Sequence, residues 1–161
     1  MIIFIWQYGK VGGTIIFSIN ESLPTSEEYL ELRASAGMAP RSLKGAEKGL
    51  GNELYCVLLK VEETDEVVGM GRIIGDGGTV FQICDMAVKI EWQGKGGGTM
   101  IMDSLMKYIY ENAEKYAYIN LLADVNGFYE KWGFKPTSPR SVGMSIKINK
   151  WYYMCIFNPL K

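Results

Sequence analysis

The segment best suited to holding a ligand is Gln93-Gly94-Lys95-Gly96-Gly97-Gly98-Thr99, four glycines set between an apolar, strand-like run and an amphipathic, helix-like one. The first N–H groups of a helix have no intrahelical acceptor. Where glycines leave them uncovered, they form an anion cradle assisted by the helix dipole. A diphosphate fits that description. The sequence has no G-x-x-x-x-G-K-[ST] window, and no G-x-G-x-x-G on a first strand followed by alternating parallel units, so neither common nucleotide loop matches. Histidine is absent, which removes Ser-His-Asp triads, Cys-His pairs, imidazole acid–base chemistry and His-ligated zinc. Chemistry here falls to carboxylates, Tyr, Lys, Cys or backbone dipoles. Asp85 is the only acid within Thr79–Ile90. It could take a proton from an incoming group or stand as a structural carboxylate paired with Arg72, and both readings stay open. Arg33 and Arg72 could hold an acidic substrate or brace a helix against a sheet. Cys84 neighbours Asp85, but strand alternation predicts that it faces the other way, into the core. Met100, Met102 and Met106 read as packing.

Positioning such a site requires a scaffold, and the chain is long enough to bury a good core as a single domain spanning 1–161. Glycine makes up 19 of the 161 residues and clusters at 69–78 and 94–98, which points to special backbone geometry there. Residues 2–8 and 14–19, separated by Lys10-Val11-Gly12-Gly13, suggest a hairpin. Thr25 and Glu28 have capping-box spacing, predicting a helix that runs to about Ala36 and stops near Gly37. A weaker helix containing Ala46 follows Pro40. Leu54–Val61, Glu66–Ile74 and Thr79–Ile90 form an antiparallel meander through the turns at 62–65 and 76–78. Ile101, Leu105 and Ile109 mark a helix over 97–115. Ala117–Ala123 reads as a buried strand, Gly127–Trp132 as a short helix and Met144–Ile148 as a strand. The pattern predicts a mixed sheet with helices on both faces.

Composition narrows the partners. Seventeen basic against 18 acidic residues leave a net charge of −1, with no basic excess for nucleic acid. Cys56, Cys84 and Cys155 are far apart, without C-x-x-C, and read as reduced core thiols; no metal site is expected. The start Met1–Trp6 lacks the basic flank of a secretory signal, and no apolar stretch approaches the roughly 20 residues of a membrane helix. A soluble, cytoplasmic protein without membrane partners is the expectation. The apolar tail Trp151–Phe157 is expected to be buried, against the domain or at a homodimer interface.

Gln93-Gly94-Lys95-Gly96-Gly97-Gly98 resembles the Q/R-x-x-G-x-G/A signature of the GNAT superfamily of acetyl-CoA-dependent N-acetyltransferases. Phe128-Tyr129-Glu130-Lys131-Trp132-Gly133-Phe134 resembles that superfamily's F/L-Y-x-x-x-G-F signature, in the family's order. Val68–Arg72 through Asp76–Gly78 are similar to a branch of small bacterial members. The resemblance runs over roughly Leu30 to Ile148, within a family-like core of about 25–149. The hairpin 1–20 and the tail 150–161 are atypical. The resemblance implies an α+β fold in three layers (α/β/α), with a mixed, mostly antiparallel twisted sheet. It implies that acetyl-CoA lies along Met86, Ala87 and Val88, with its pyrophosphate on Gln93, Gly94, Lys95, Gly96, Gly97, Gly98 and Thr99, and that Phe128 and Tyr129 also contact it. A backbone N–H near Ala87 or Val88 would stabilise the oxyanion. Tyr129 would protonate the departing thiolate, and Asp85 stands as the second catalytic candidate, with Arg33, Arg72 and Asp85 toward the substrate.

Gly97 stands where the family usually has an aliphatic residue, implying a looser helix start. Ile90 replaces a common Pro, and Asn126 lies too near Tyr129 to match the usual family Asn. Three functions are compatible with these residues: transfer of acetyl to a small-molecule primary amine, transfer to a protein or peptide, and non-catalytic sensing of acyl-CoA.

Overall fold

Six strands pair in chain order into one sheet in a computed structural model that describes residues 6–10 and 13–147, with side chains from residue 15 onward. The strands are β1 (Trp6–Lys10), β2 (Gly13–Glu21), β3 (Tyr55–Val61), β4 (Glu66–Gly75), β5 (Val80–Val88) and β6 (Tyr118–Leu121). Neighbours from β1 to β5 run antiparallel, and β6 is parallel to β5. The helices are α1 (Ser26–Ser35), α2 (Leu43–Gly49) and α3 (Gly97–Asn112). Residues 1–123 and 124–161 form two units; all of these elements belong to the first.

Local chemistry sets the helix ends. Thr25 Oγ1 accepts from the Glu28 N–H at 3.1 Å, and Glu28 Oε2 accepts from the Thr25 N–H at 2.8 Å, a complete capping box. Gly37, at φ +72°, ends the segment in the left-handed region. In α2, Ser42 accepts from the Gly45 N–H, so the weaker helix also has a cap.

Alternation along the strands divides the core between two faces. Leu58, Met70 and Ala87 pack with Tyr29, Leu32 and Ala46 of α1 and α2. Leu59, Gly69 and Gly71 face α3, where a Cβ at Gly71 would overlap Ile101. Helices therefore cover both faces, as the pattern predicts. A Cβ at Gly97 would overlap Leu59, and Gly97 is buried, so α3 starts in close contact with β3 rather than loosely.

Four further expectations are corrected. Ala117–Ala123 is not a buried strand: only Tyr118–Leu121 pair, and Tyr118 and Leu122 are exposed, because β6 is outermost in the described sheet with β5 as its one neighbour. Gly127–Trp132 shortens to a single 3₁₀ turn, Glu130–Trp132, bracketed by Gly127 and Gly133 at positive φ. Residues 144–147 carry no strand, and Met144 and Ile146 are exposed; apolar alternation without a ladder partner does not make one. Cys84 does not face away from Asp85, for a reason given below. Residues 2–5, Val11-Gly12, Ile148, Cys155 and the tail Trp151–Phe157 lie outside the described residues.

Candidate active site

The β4–β5 ladder contains one irregularity. Met70 pairs with Ala87 and Arg72 with Cys84, so Gly71 opposes both Asp85 and Met86. Asp85 is the bulge residue, at φ +51°, a conformation that Asp tolerates better than most side chains. An extra residue resets the alternation, and Cys84 and Asp85 end up beside each other near Arg72. This overturns the placement of Cys84 by simple alternation. Cys56 is also paired with Arg72, from the other side.

Both Asp85 carboxylate oxygens are occupied. Arg72 donates to Oδ2 through Nε at 2.9 Å and Nη2 at 2.7 Å, Arg33 Nη1 donates to Oδ1, and the Tyr29 hydroxyl donates to Oδ2 at 3.2 Å. Arg33 Nη2 reaches the Ala39 carbonyl at 2.6 Å, and Arg72 Nη1 meets Glu53 at 3.4 Å. Two cations and two anions thus sit together almost out of water, with the side chains of Arg33 and Glu53 each 3% exposed and Asp85 8%. A buried charge left without its partner is costly, so the four hold as a group. Burial opposes the Arg72 charge, but the Asp85 carboxylate outweighs it and raises the guanidinium pKa. Burial, then Asp85, pushes the Tyr29 phenol up. Burial also pushes Cys56 to about 12 and Cys84 to about 11, reinforced by Glu53 and Asp85 respectively. Arg33 of α1 and Arg72 of β4 both engage Asp85 of β5, so the three elements are linked at this point. Tyr29 and Glu53 were missed from the sequence, although Tyr29 and Arg33 are spaced i, i+4 on one helix face.

Just before the bulge, β5 loses one neighbour. Its pairing with β6 ends at Ile83 opposite Leu121, yet β5 continues to Val88. Among the described residues, the edge from Cys84 to Val88 is unpaired on that side. The Lys89 N–H goes to the Val68 carbonyl on the β4 side, so the polar groups of Val88 point to the open edge. There the Val88 carbonyl accepts from Gln93 Nε2 at 2.9 Å, which ties the glycine turn to the strand end. Ala87 is buried toward α1, and the Met86 sulfur lies toward Gly71 on the α3 side.

The turn itself is open. Gly94 and Gly96 adopt φ of +72° and +90°, and a Cβ on either would meet nothing among the described residues within 4 Å. Gly96 is the N-cap of α3 and supplies no side-chain cap. Its carbonyl takes the Thr99 and Met100 N–H groups, at 3.0 and 3.2 Å. The Gly97 and Gly98 amides have no acceptor among the described residues. Lys95 is directed elsewhere: Nζ donates to the Glu91 carbonyl at 2.6 Å and lies 4.5 Å from the Trp92 ring centre. It offers the turn its backbone, not its charge.

In the second unit, Phe128 stacks edge-on against Tyr129 at 5.0 Å and Trp132 at 5.2 Å. Tyr129 is buried, and that burial, followed by the Asp124 charge, raises its phenol pKa. Among the described residues, no cluster of three or more Cys, Asp or Glu could hold a metal, and no helix is long and apolar enough to cross a membrane.

A model described as an acetyltransferase (GNAT) domain matches residues 51–136. A solved structure from meticillin-resistant Staphylococcus aureus, described as of unknown function and a probable acetyltransferase, is 46% identical. It covers 82% of this chain and 99% of its own at a TM-score of 0.78. An uncharacterized N-acetyltransferase of Porphyra purpurea is 31% identical over 111 residues, 66% of this chain and 63% of the relative. The chain therefore spans less than two thirds of that relative's length. A GNAT family acetyltransferase from Brucella melitensis, solved in complex with acetyl-CoA, shares the fold at a TM-score of 0.56 and 18% identity, covering 74% of this chain and 83% of its own.

Proposed function

Since the chain belongs to the GNAT family of acetyltransferases, we propose that it is an enzyme carrying acetyl from acetyl-CoA directly to a primary amine of a small molecule. The observation that carries this reading is the β5 edge left unpaired from Cys84 to Val88 among the described residues, followed after one 3₁₀ turn (Ile90–Trp92) by the Gly97 and Gly98 amides, which have no acceptor among those residues. An extended pantetheine arm matches the edge, hydrogen-bonding as a strand would, and a pyrophosphate matches the Gly97 and Gly98 amides at the head of α3. Glycine at 94 and 96 leaves the approach clear.

The Val88 N–H, on the open edge, is the donor we assign to the thioester oxygen, where negative charge grows as the amine attacks. The amine nitrogen bonds to the carbonyl carbon, the C–S bond breaks, and the thiolate takes one proton. On the strength of its motif we assign that proton to the Tyr129 hydroxyl. Burial and the Asp124 charge keep the phenol protonated, as an acid must be before it can act, at the cost of weakening it toward the thiolate. The attacking amine must shed a proton too. Because both Asp85 oxygens already face donors, we assign this proton to water and Asp85 to holding the strand. A small acceptor is supported by charge: the acids of this cluster are paired with arginines, leaving them poorly suited to a Lys-rich peptide.

The test is thiol release from acetyl-CoA against aryl-alkylamines, polyamines, amino sugars and peptides. Turnover with one small-amine class and none with peptides is expected. Release with peptides alone would replace the acceptor, and tight acetyl-CoA binding with no release for any amine would replace catalysis by sensing.

A further inference from the structure

The Asp85 cluster joins three elements at one backbone irregularity. Arg33 comes from α1, Arg72 from β4 and Asp85 from the bulge of β5, and together the two guanidiniums engage both carboxylate oxygens. Asp85 holds a φ of +51° that L-residues rarely adopt. Its position matters as much as its strain. The bulge falls immediately after the last β6 pairing, at Ile83, and three residues before Val88. A bulge bends and twists its strand, so the angle taken here sets where the open edge and the Val88 N–H point.

We propose that Arg33 and Arg72 are positioning residues which, by clamping Asp85 from α1 and β4, fix this bulge and so aim the Val88 N–H at the thioester. The inference rests on the acetyl-transfer reading above. Neither arginine touches a reacting atom in this scheme. Burial strengthens the clamp, because charge-assisted hydrogen bonds gain in a low-dielectric setting. The Nε of Arg33, buried and without a partner among the described residues, fits a side chain placed for the Asp85 and Ala39 contacts at the expense of a third.

A simple brace between helix and sheet would hold stability without aiming anything, and glycine separates the two ideas. Glycine adopts positive φ without an anchor, so Asp85→Gly should preserve the bulge when the clamp is gone. The variants are Arg72→Met, Arg72→Lys and the double Arg72→Met/Asp85→Gly. Each is measured for melting temperature, acetyl-CoA affinity by calorimetry, kcat on the best amine and the ¹⁵N–¹H resonance of Val88. Arg72→Met should lower kcat by roughly 10- to 100-fold, the scale of a misplacement approaching 1 Å, and shift the Val88 resonance. The double variant should recover most of that loss and return the resonance toward wild type. Arg72→Lys keeps the charge without the fork and should fall between; it carries the test if Arg72→Met does not fold. Lower melting temperature with wild-type kcat and an unmoved Val88 resonance would overturn the proposal. So would a double variant no better than the single. Failure of acetyl transfer itself is seen separately, as wild-type protein that turns over no amine, and the Val88 resonance still reports on the clamp.

Discussion

Gly69 lies on β4 directly opposite Val88, and its missing side chain makes room for the strand that carries the site. A Cβ there would sit 2.8 Å from the Ala87 carbonyl oxygen, 3.2 Å from Ile101 Cδ1 and 3.3 Å from Leu59 Cβ. Comfortable carbon contacts lie near 3.5–4.0 Å, so Gly69→Ala is hemmed in on three sides. Ile101 can rotate its tip. The Ala87 carbonyl belongs to the β5 backbone and can move only by moving the strand. Overpacking of this kind costs roughly 1–3 kcal/mol, and a rigid neighbour places Gly69→Ala in the upper part of that range. Restricting the unfolded chain offsets about 0.5–1 kcal/mol. The net destabilisation is about 1–2 kcal/mol, a fall of roughly 2–8 °C in Tm for a chain of this length. The displaced strand carries the Val88 N–H with it, so kcat should drop several-fold while the glycine turn keeps its geometry. Gly49→Ala is the control, since a Cβ there meets nothing within 4 Å and Gly49 has no positive φ. It should leave Tm unchanged or slightly raised. Thermal and urea unfolding, with thiol-release kinetics on the same samples, give the comparison. Equal stability and turnover for Gly69→Ala and wild type would refute the close-approach argument.

Gly96→Asp places a negative charge at the head of α3, where the Cβ faces open space; acetyl-CoA affinity by calorimetry should fall at least tenfold, although the φ of +90° adds some strain. Tyr129→Phe should lower kcat within the roughly 10²–10⁴-fold range of general-acid catalysis and barely change the acetyl-CoA dissociation constant. Because the acid must be protonated to act and its pKa is raised by burial, wild-type turnover should fall only as pH climbs beyond the ordinary tyrosine range, and Tyr129→Phe should lack that limb. With Cys56 at about 12 and Cys84 at about 11, both thiols stay protonated at pH 8. Peptide-mapped alkylation should label them at least tenfold more slowly in native than in unfolded protein. Their unfolded counterparts ionise first, so stability should decline as pH rises above about 9.

Much of this was readable from residue order, because the signals were local. Thr25 and Glu28 specify a cap within one turn, and the four-residue recurrence of Ile101, Leu105 and Ile109 specifies α3 wherever it docks. The glycine turn was legible because strand and helix signals flank it directly. The bulge was not. Alternation assumes one residue per pleat, and nothing in Ile83-Cys84-Asp85-Met86 marks the extra one, so Cys84 was sent to the wrong face. The Arg33–Asp85 pair closes across 52 positions, and no spacing rule reaches that far. The exposure of β6 escaped for another reason: Ala117–Ala123 looks buried by composition, but burial depends on having two neighbours, which is a property of strand order.

An open strand edge is also a hazard, because unpaired N–H and C=O groups invite another polypeptide to dock and aggregate. The stretch from Cys84 to Val88 would be such an edge were it regular. With Asp85 twisted into the left-handed region, a flat strand from another molecule could register with the residues before the bulge or with those after it. It could not register with both unless it carried a matching irregularity of its own. The same kink therefore discriminates between guests. It turns away long ladders, which need many evenly spaced partners, and accepts a thin ligand that needs only a few. On the acetyl-transfer reading, the edge kept unpaired for the donor would carry, in one residue, a means of keeping other strands off.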